Sequence, residues 1–341
     1  MDMQAAADRA EIADRSIRRD AAVREGAAHQ KKPLLRRLGP FVAVAGVALA
    51  GFLLYRTLSR YSFDDIVASV AAVPWWRLAL SGCFAALSYL CLTGFDYLAL
   101  RYAGHPLPYR KAALASFCSL SLGHNIGFAA LSSGAIRYRF YSRWGLGAGD
   151  VAKVILFCGM TVGLGLIVLG GAALLLEPGL AQEITGLSAG GVQGLGAVCL
   201  GIAALYLLLA ATLRQTLQIR SFSLRMPSFR LAVGQLVIGP LNFACVAACL
   251  HQALAAVADL SYLTVAAVYV IATVSALIAH APGGLGVIES VVLYLLPGGK
   301  LIGALIVYRF VYFLAPLCIG APTFLAAELA FRRRNRTHDL S

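Results

Sequence analysis

Apolar residues gather into eight runs, at roughly 39–56, 77–100, 112–131, 150–176, 191–213, 231–257, 261–280 and 301–330. Each approaches or exceeds the ~20 residues a helix needs to cross a bilayer, so the pattern predicts about eight long transmembrane helices. The last run carries Pro316 and Pro322 and is expected to kink or tilt. Two shorter segments remain: about 132–145, with Arg137, Arg139 and Arg143, and about 284–297, with Glu289. The pattern predicts an all-α polytopic membrane protein with two short re-entrant or half-helices.

The segment Ala279-His280-Ala281-Pro282-Gly283-Gly284-Leu285-Gly286-Val287-Ile288-Glu289 interrupts this apolar background. Proline donates no backbone hydrogen bond, and each glycine weakens a helix by roughly 1 kcal/mol. In hydrocarbon such a break survives only where protein or a water-filled cavity covers the freed backbone.

The break has an echo earlier in the chain. Leu131-Ser132-Ser133-Gly134-Ala135-Ile136-Arg137 aligns with Gly283 to Glu289, placing Gly134 on Gly286 and Arg137 on Glu289, at an offset of 286 − 134 = 152 residues. Adding that offset to each of the first four runs lands on one of the last four. The turn Gly145-Leu146-Gly147 lands on Pro297-Gly298-Gly299. The chain therefore reads as a tail (1–38), one membrane repeat (39–178), a second (191–331) and a short basic tail (332–341).

Charge placement gives the repeats a direction. Arg101, Arg110 and Lys111, the arginines of 214–230, and Arg332-Arg333-Arg334 mark cytoplasmic connections, whereas those holding Glu177, Glu183 and Asp259 lack Lys and Arg. Arg56 and Arg60 depart from this scheme, partly offset by Asp64 and Asp65. The first unit then starts inside and the second outside, so the units are inverted and both termini are cytoplasmic. Whether the short segments traverse or re-enter does not alter this parity. Inverted repeats with matching interrupted helices are typical of secondary transporters, whose site lies near the midplane.

Composition agrees with this picture. Of 341 residues 60% are hydrophobic and only 13% charged, and the mean hydropathy is +0.77, far from a soluble domain. The net charge of +13 sits in tails and connections, which argues against nucleic acid as a partner. Eight cysteines, all within apolar runs, form no CxxC pair and no zinc spacing, so no metal or cofactor is expected. Nor is there a Gly-x-Ser-x-Gly, a phosphate-cradling loop or a His-Glu-x-x-His, and no enzyme chemistry is expected.

Ionisable groups in hydrocarbon cost several kcal/mol and usually face the bundle interior. Arg137 shares a helix face with Ser133 and Tyr141, and with Arg139 it could grip an anionic headgroup through bidentate contacts to phosphate oxygens. The competing reading is a set of arginines snorkelling to the cytoplasmic surface, which suits Arg143. Glu289 occupies the repeat-related position of Arg137, so the two are expected to approach a common centre, meeting a phosphate and an ammonium or pairing with each other. A purely structural ion pair competes with that reading. Arg309 could neutralise Glu289 or add an anion contact. Asn125, beside His124, could hydrogen-bond a headgroup or a neighbouring helix. Asp96, near Arg101, reads as structural. Gly163, Gly165, Gly170 and Gly171 should permit close helix packing.

The run Leu98-Ala99-Leu100-Arg101-Tyr102-Ala103-Gly104-His105-Pro106-Leu107-Pro108-Tyr109, the run from Asn125 to Arg139 and Pro282-Gly283-Gly284-Leu285-Gly286-Val287-Ile288-Glu289 resemble the membrane region of the multiple peptide resistance factor family. These are the lysylphosphatidylglycerol synthase/flippase proteins of bacteria, and the likeness spans roughly 40–330. It implies a multi-pass protein of the bacterial inner membrane, contributing to antimicrobial peptide resistance by moving aminoacylated phosphatidylglycerol between leaflets. It also implies that Arg137, Arg139 and Glu289 line the lipid route. Bifunctional members add a domain that transfers lysine to the lipid. This chain stops after Arg332-Arg333-Arg334-Asn335-Arg336 and is expected to lack that transfer itself, as either a stand-alone relative or a piece of a longer product; membrane lipid, a second copy of the chain (a homo-oligomer) and a separate lipid-modifying synthase are its candidate partners. A transporter of a soluble solute or ion, and a non-transporting scaffold for a lipid-modifying enzyme, are the rival readings.

Overall fold

The structure, a computed structural model, describes residues 63–126, 129–213, 216–219, 222–296 and 301–338. The expected tail 1–38, the first apolar run, Arg214, Arg220 and the break at 297–299 lie outside the described residues. In chain order the helices are α1 (Phe63–Ala72), α2 (Trp75–Tyr102), α3 (Tyr109–Ile126), α4 (Ala129–Arg143), α5 (Ala148–Leu176), α6 (Pro178–Thr185), α7 (Ala189–Thr212), α8 (Phe229–Leu254), α9 (Tyr262–Ile278), α10 (Val287–Leu295), α11 (Leu301–Arg309) and α12 (Ala315–His338). Between α7 and α8, Thr216–Ile219 (β1) pairs antiparallel with Phe222–Arg225 (β2), a short hairpin that apolar periodicity did not anticipate.

Among the described residues, five helices are long and apolar enough to cross a membrane: α2, α5, α7, α8 and the continuous Leu301–Phe331. Two further expected spans are modified. The run placed at 112–131 is described as α3 as far as Ile126, and its helix opens earlier than expected, on Tyr109-Arg110-Lys111. The run placed at 261–280 is the 17-residue α9, cut off at Ala279 by the glycine-proline turn. α4 packs against α3 and α10 against α9, so each short helix forms a hairpin with its predecessor. Nine residues of α10 rise about 14 Å, well under the ~30 Å of a hydrocarbon core.

Local signals place the ends. Pro74 precedes α2, and Gly104 at φ 81° follows it, with His105 N donating to Leu100 O at 3.0 Å. Gly145 at φ 93° ends α4 the same way, with Leu146 N on Tyr141 O at 3.1 Å. Both are left-handed C-terminal turns for which glycine carries no Cβ penalty. Ser188 and Ser261 cap α7 and α9 by accepting from Gly191 N and Thr264 N.

The interior is built on α2 against α8, with α5 across α8 and α3 along α12. Helix ends repeat at the sequence offset: 254 − 102 and 295 − 143 each give 152. Packing partners repeat too, since α3 lies against α4 and α12 while α9 lies against α10 and α5. Hydrogen bonds tie the central pair together: Ser88 Oγ donates to Asn242 Oδ1 at 2.7 Å and lies 3.1 Å from Tyr312 Oη. Of the expected packing glycines, Gly165 meets Gly239 on α8 and Gly171 meets Gly196 and Cys199 on α7, whereas Gly163 faces open space.

Pro316 explains the irregularity in the last long helix. Having no N–H, it leaves Tyr312 O without its helical donor, and the preceding residues Phe310–Leu314 widen into a π turn in which Ala315 N reaches Phe310 O. The expected kink is therefore a local rewinding immediately after Arg309.

Candidate functional site

Three arginine–carboxylate groups organise the interior. The first sits on α4. Arg137 donates from Nε to Asp96 Oδ1 and from Nη2 to Asp96 Oδ2, both at 2.8 Å, and from Nη1 to Ser133 Oγ at 3.0 Å. Tyr141 Oη donates to Asp96 Oδ1 at 2.7 Å. The i−4 and i+4 spacing of Ser133 and Tyr141 about Arg137 assembles this group from one helix face. Asp96 is fully buried and Arg137 only 4% exposed. Asp96 is thus the direct partner of Arg137, not of Arg101, which lies over the Tyr97 ring.

The second group sits at the broken helix. His280 at φ 51°, Gly283 at 56°, Gly284 at 63° and Gly286 at 81° turn the chain between α9 and α10, with Pro282 opening a single 3₁₀ turn. A Cβ on Gly283 would lie 2.8 Å from His124 O, so the turn backbone seats directly on the end of α3. Arg309 satisfies the unwound backbone. It donates through Nη1 to Gly283 O and through Nη2 to Gly284 O at 2.9 Å. The same guanidinium holds Glu289, Nε to Oε1 at 2.5 Å and Nη2 to Oε2 at 3.0 Å, and lies over the Phe313 ring at 4.6 Å. Glu289 also reaches back to Gly286 N at 2.9 Å, capping α10. Asn125 donates to Ser121 O at 2.9 Å and to Phe313 O at 3.4 Å, a carbonyl within the π turn. Asn125, Gly283, Leu285, Arg309, Phe313 and Leu314 line one recess.

The third group lies where α4 meets α12. Arg139 donates to Glu328, Nε to Oε2 at 2.9 Å and Nη2 to Oε1 at 2.6 Å, and Arg143 Nη2 lies 2.9 Å from Glu328 Oε2. The side chains of Arg139 and Arg143 are 16% and 30% exposed, against 4% for Glu328. Arg143 stacks on Phe331, beside Phe140 and Trp144. Replacing Glu328 by Gln is expected to lower stability by about 1–3 kcal/mol, since two cations lose a charged acceptor at a half-open site. A detergent melting curve below that of the unaltered protein checks it.

These positions correct two expectations. Arg137 and Glu289 do not pair with each other; Asp96 and Arg309 take those places because each lies nearer on a packed neighbour. Gly134 does not break a helix: it is buried inside α4, where a Cβ would fall 2.9 Å from Ile155. The break sequence of the second hairpin has no counterpart in the backbone at Gly134, because Ser132-Ser133-Gly134 lacks the proline and the run of glycines. Asp96 and Glu328 were the acids the sequence reading undervalued or missed. Each is an isolated carboxylate in an apolar run, which by itself demands a buried cation.

With this geometry in place, comparison with known proteins identifies the relatives. Residues 43–320 match the family model described as the lysylphosphatidylglycerol synthase TM region. The chain belongs to that family. An uncharacterized protein of Synechocystis sp., slr0712, is 31% identical over 283 residues, 82% of this chain and 88% of the relative. The inner membrane protein YbhN of Escherichia coli is 30% identical over 251 residues, 71% of this chain and 77% of the relative. The match of this lysylphosphatidylglycerol synthase TM-region protein covers α1 to α11 and runs into α12, so all three arginine groups except Glu328 fall within it.

Proposed function

We propose that the chain is a phospholipid translocase of the bacterial inner membrane, carrying an aminoacylated or other phosphate-bearing lipid between leaflets. The observation that carries this reading is the recess at the broken helix, where a buried guanidinium, an amide and unwound backbone meet in an apolar bundle. The recess holds about 10 Å³, room for a single water, so an anionic headgroup would have to widen it on entry while its acyl chains stay in lipid. Arg139 and Arg143, partly open beside aromatic rings, receive the phosphate first; Arg309 receives it at the recess, and Glu289 meets the ammonium of an aminoacylated headgroup. Arg137, enclosed by Asp96, holds the first hairpin in place. The recurrence of helix ends at 152 residues supports two related units, and the charge placement of the connections supports their inversion. The basic connections support cytoplasmic termini, and the inner-membrane relative supports the location. No covalent chemistry is assigned: a separate synthase supplies the modified lipid, and assembly as a homo-oligomer is compatible with the scheme.

Purified protein in vesicles carrying fluorescent lysylphosphatidylglycerol tests this. Dithionite should quench label beyond the outer-leaflet share, and the excess should vanish with Arg309→Gln in folded protein. Quenching equal to protein-free vesicles would sink the translocase. A second reading, a scaffold for a lipid-modifying enzyme, draws on the carboxylate partners that Arg137, Arg139 and Arg309 already have. It predicts stable co-purification of that enzyme and no lipid flux.

A further inference from the structure

The carboxylate of Glu289 sits in a ready-made anion site. Three donors converge on it: Gly286 N at the start of α10 at 2.9 Å, Arg309 Nε at 2.5 Å and Arg309 Nη2 at 3.0 Å. Arg309 is 4% exposed and Glu289 half-buried, and Arg309 forms a wall of the recess shared with Asn125. A phosphate offers the same two-oxygen face to a guanidinium as a carboxylate does. We propose that Glu289 is an internal competitor: its carboxylate occupies an Arg309-centred phosphate site, and a phosphate-bearing lipid enters by displacing it. This deepens the translocase reading and rests on it for the source of the anion.

The displacement has a structural consequence. Arg309 also holds the carbonyls of Gly283 and Gly284, so guanidinium and turn move as one unit. Glu289, once displaced, gives up the Gly286 N–H it caps, and the first turn of α10 loses its acceptor. Exchange of one anion for another at Arg309 therefore loosens the end of the hairpin while the guanidinium stays charge-paired throughout. A buried arginine left without any anion would be far costlier, which favours exchange over simple opening.

The substitution Glu289→Gln keeps an oxygen for Gly286 N–H but removes the competing charge. Full-length protein in detergent would be titrated with short-chain phosphatidylglycerol, short-chain phosphatidylcholine as the net-neutral control, and inorganic phosphate. Glu289→Gln should bind phosphatidylglycerol about tenfold or more tightly than the unaltered protein, with the gain abolished in the Glu289→Gln/Arg309→Gln double variant. A matching gain for inorganic phosphate supports a site that reads phosphate alone, and a gain for phosphatidylglycerol only supports a lipid source. Unchanged affinity, an equal gain for phosphatidylcholine, or a gain that survives the double variant would overturn the competitor. In the unaltered protein, saturating phosphatidylglycerol should speed hydrogen exchange at the Gly286 amide; unchanged exchange counts against the proposal without relying on any variant. Tighter binding without lipid flux would instead remove the translocase while keeping the anion site.

Discussion

Asp96→Ala is expected to destabilise the protein by about 3–5 kcal/mol, because it strands Arg137 in the interior without its anion. Arg137 is 4% exposed, and Asp96 takes two of its donated hydrogen bonds. The other recorded acceptor of Arg137, Ser133 Oγ, is neutral. Arg137→Ala should cost a comparable amount for the converse reason, since it leaves Asp96 with Tyr141 Oη as its recorded donor. The informative result is the pair. Asp96→Leu with Arg137→Met removes both charges and fills similar volume, and should recover most of the loss, because a buried ion pair contributes little net stability over an apolar pair. Tyr141→Phe should cost only about 1 kcal/mol, one neutral-to-charged hydrogen bond. Unfolding in mixed micelles would measure all four. Additive losses in the double variant would show that the two side chains act separately, contrary to the geometry.

That pair also marks where sequence reasoning reached and where it stopped. Arg137, Ser133 and Tyr141 could be placed on one face because helical spacing alone puts them there. Asp96 could not be joined to them, since 41 residues and a change of helix separate it from Arg137 and only the packing of α2 and α4 against their common neighbours α3 and α5 decides the meeting. Arg309 could be offered as a neutraliser of Glu289 because it is the arginine deep in the apolar run that follows the break, although Lys300 lies nearer in sequence. Glu328 went unseen beside the basic tail that follows it. The glycine turn was legible because Pro282, Gly283, Gly284 and Gly286 leave few backbone alternatives, whereas Gly134 looked like a break only through its alignment with Gly286. The two-stranded hairpin after α7 gave no apolar signal of the strength carried by the long helices.

Glycines offer the other large effect, and here the backbone itself decides it. A Cβ on Gly165 would lie 2.7 Å from the carbonyl carbon and oxygen of Gly239, and one on Gly239 would lie 2.8 Å from Thr161 O. These contacts are backbone against backbone, so no side chain can rotate away; α5 and α8 would have to separate. Both helices belong to the centre of the bundle, and Gln235 of α8 reaches Thr161 Oγ1 at 2.8 Å and Phe157 O at 3.3 Å across the same crossing. Separation would therefore break polar contacts as well as dispersion contacts, which dominate helix association in lipid. Gly165→Leu or Gly239→Leu is expected to cost about 3 kcal/mol or more, at the upper end of overpacking penalties, and to reduce the yield of monodisperse protein sharply. Gly163→Leu provides the control on α5: it faces open space and removes a helix-weakening glycine, so it should leave stability unchanged or raise it by up to about 1 kcal/mol. Size-exclusion profiles and melting curves of the three variants decide the matter. Equal behaviour of Gly163→Leu and Gly165→Leu would mean that the α5–α8 crossing is looser than a direct backbone contact.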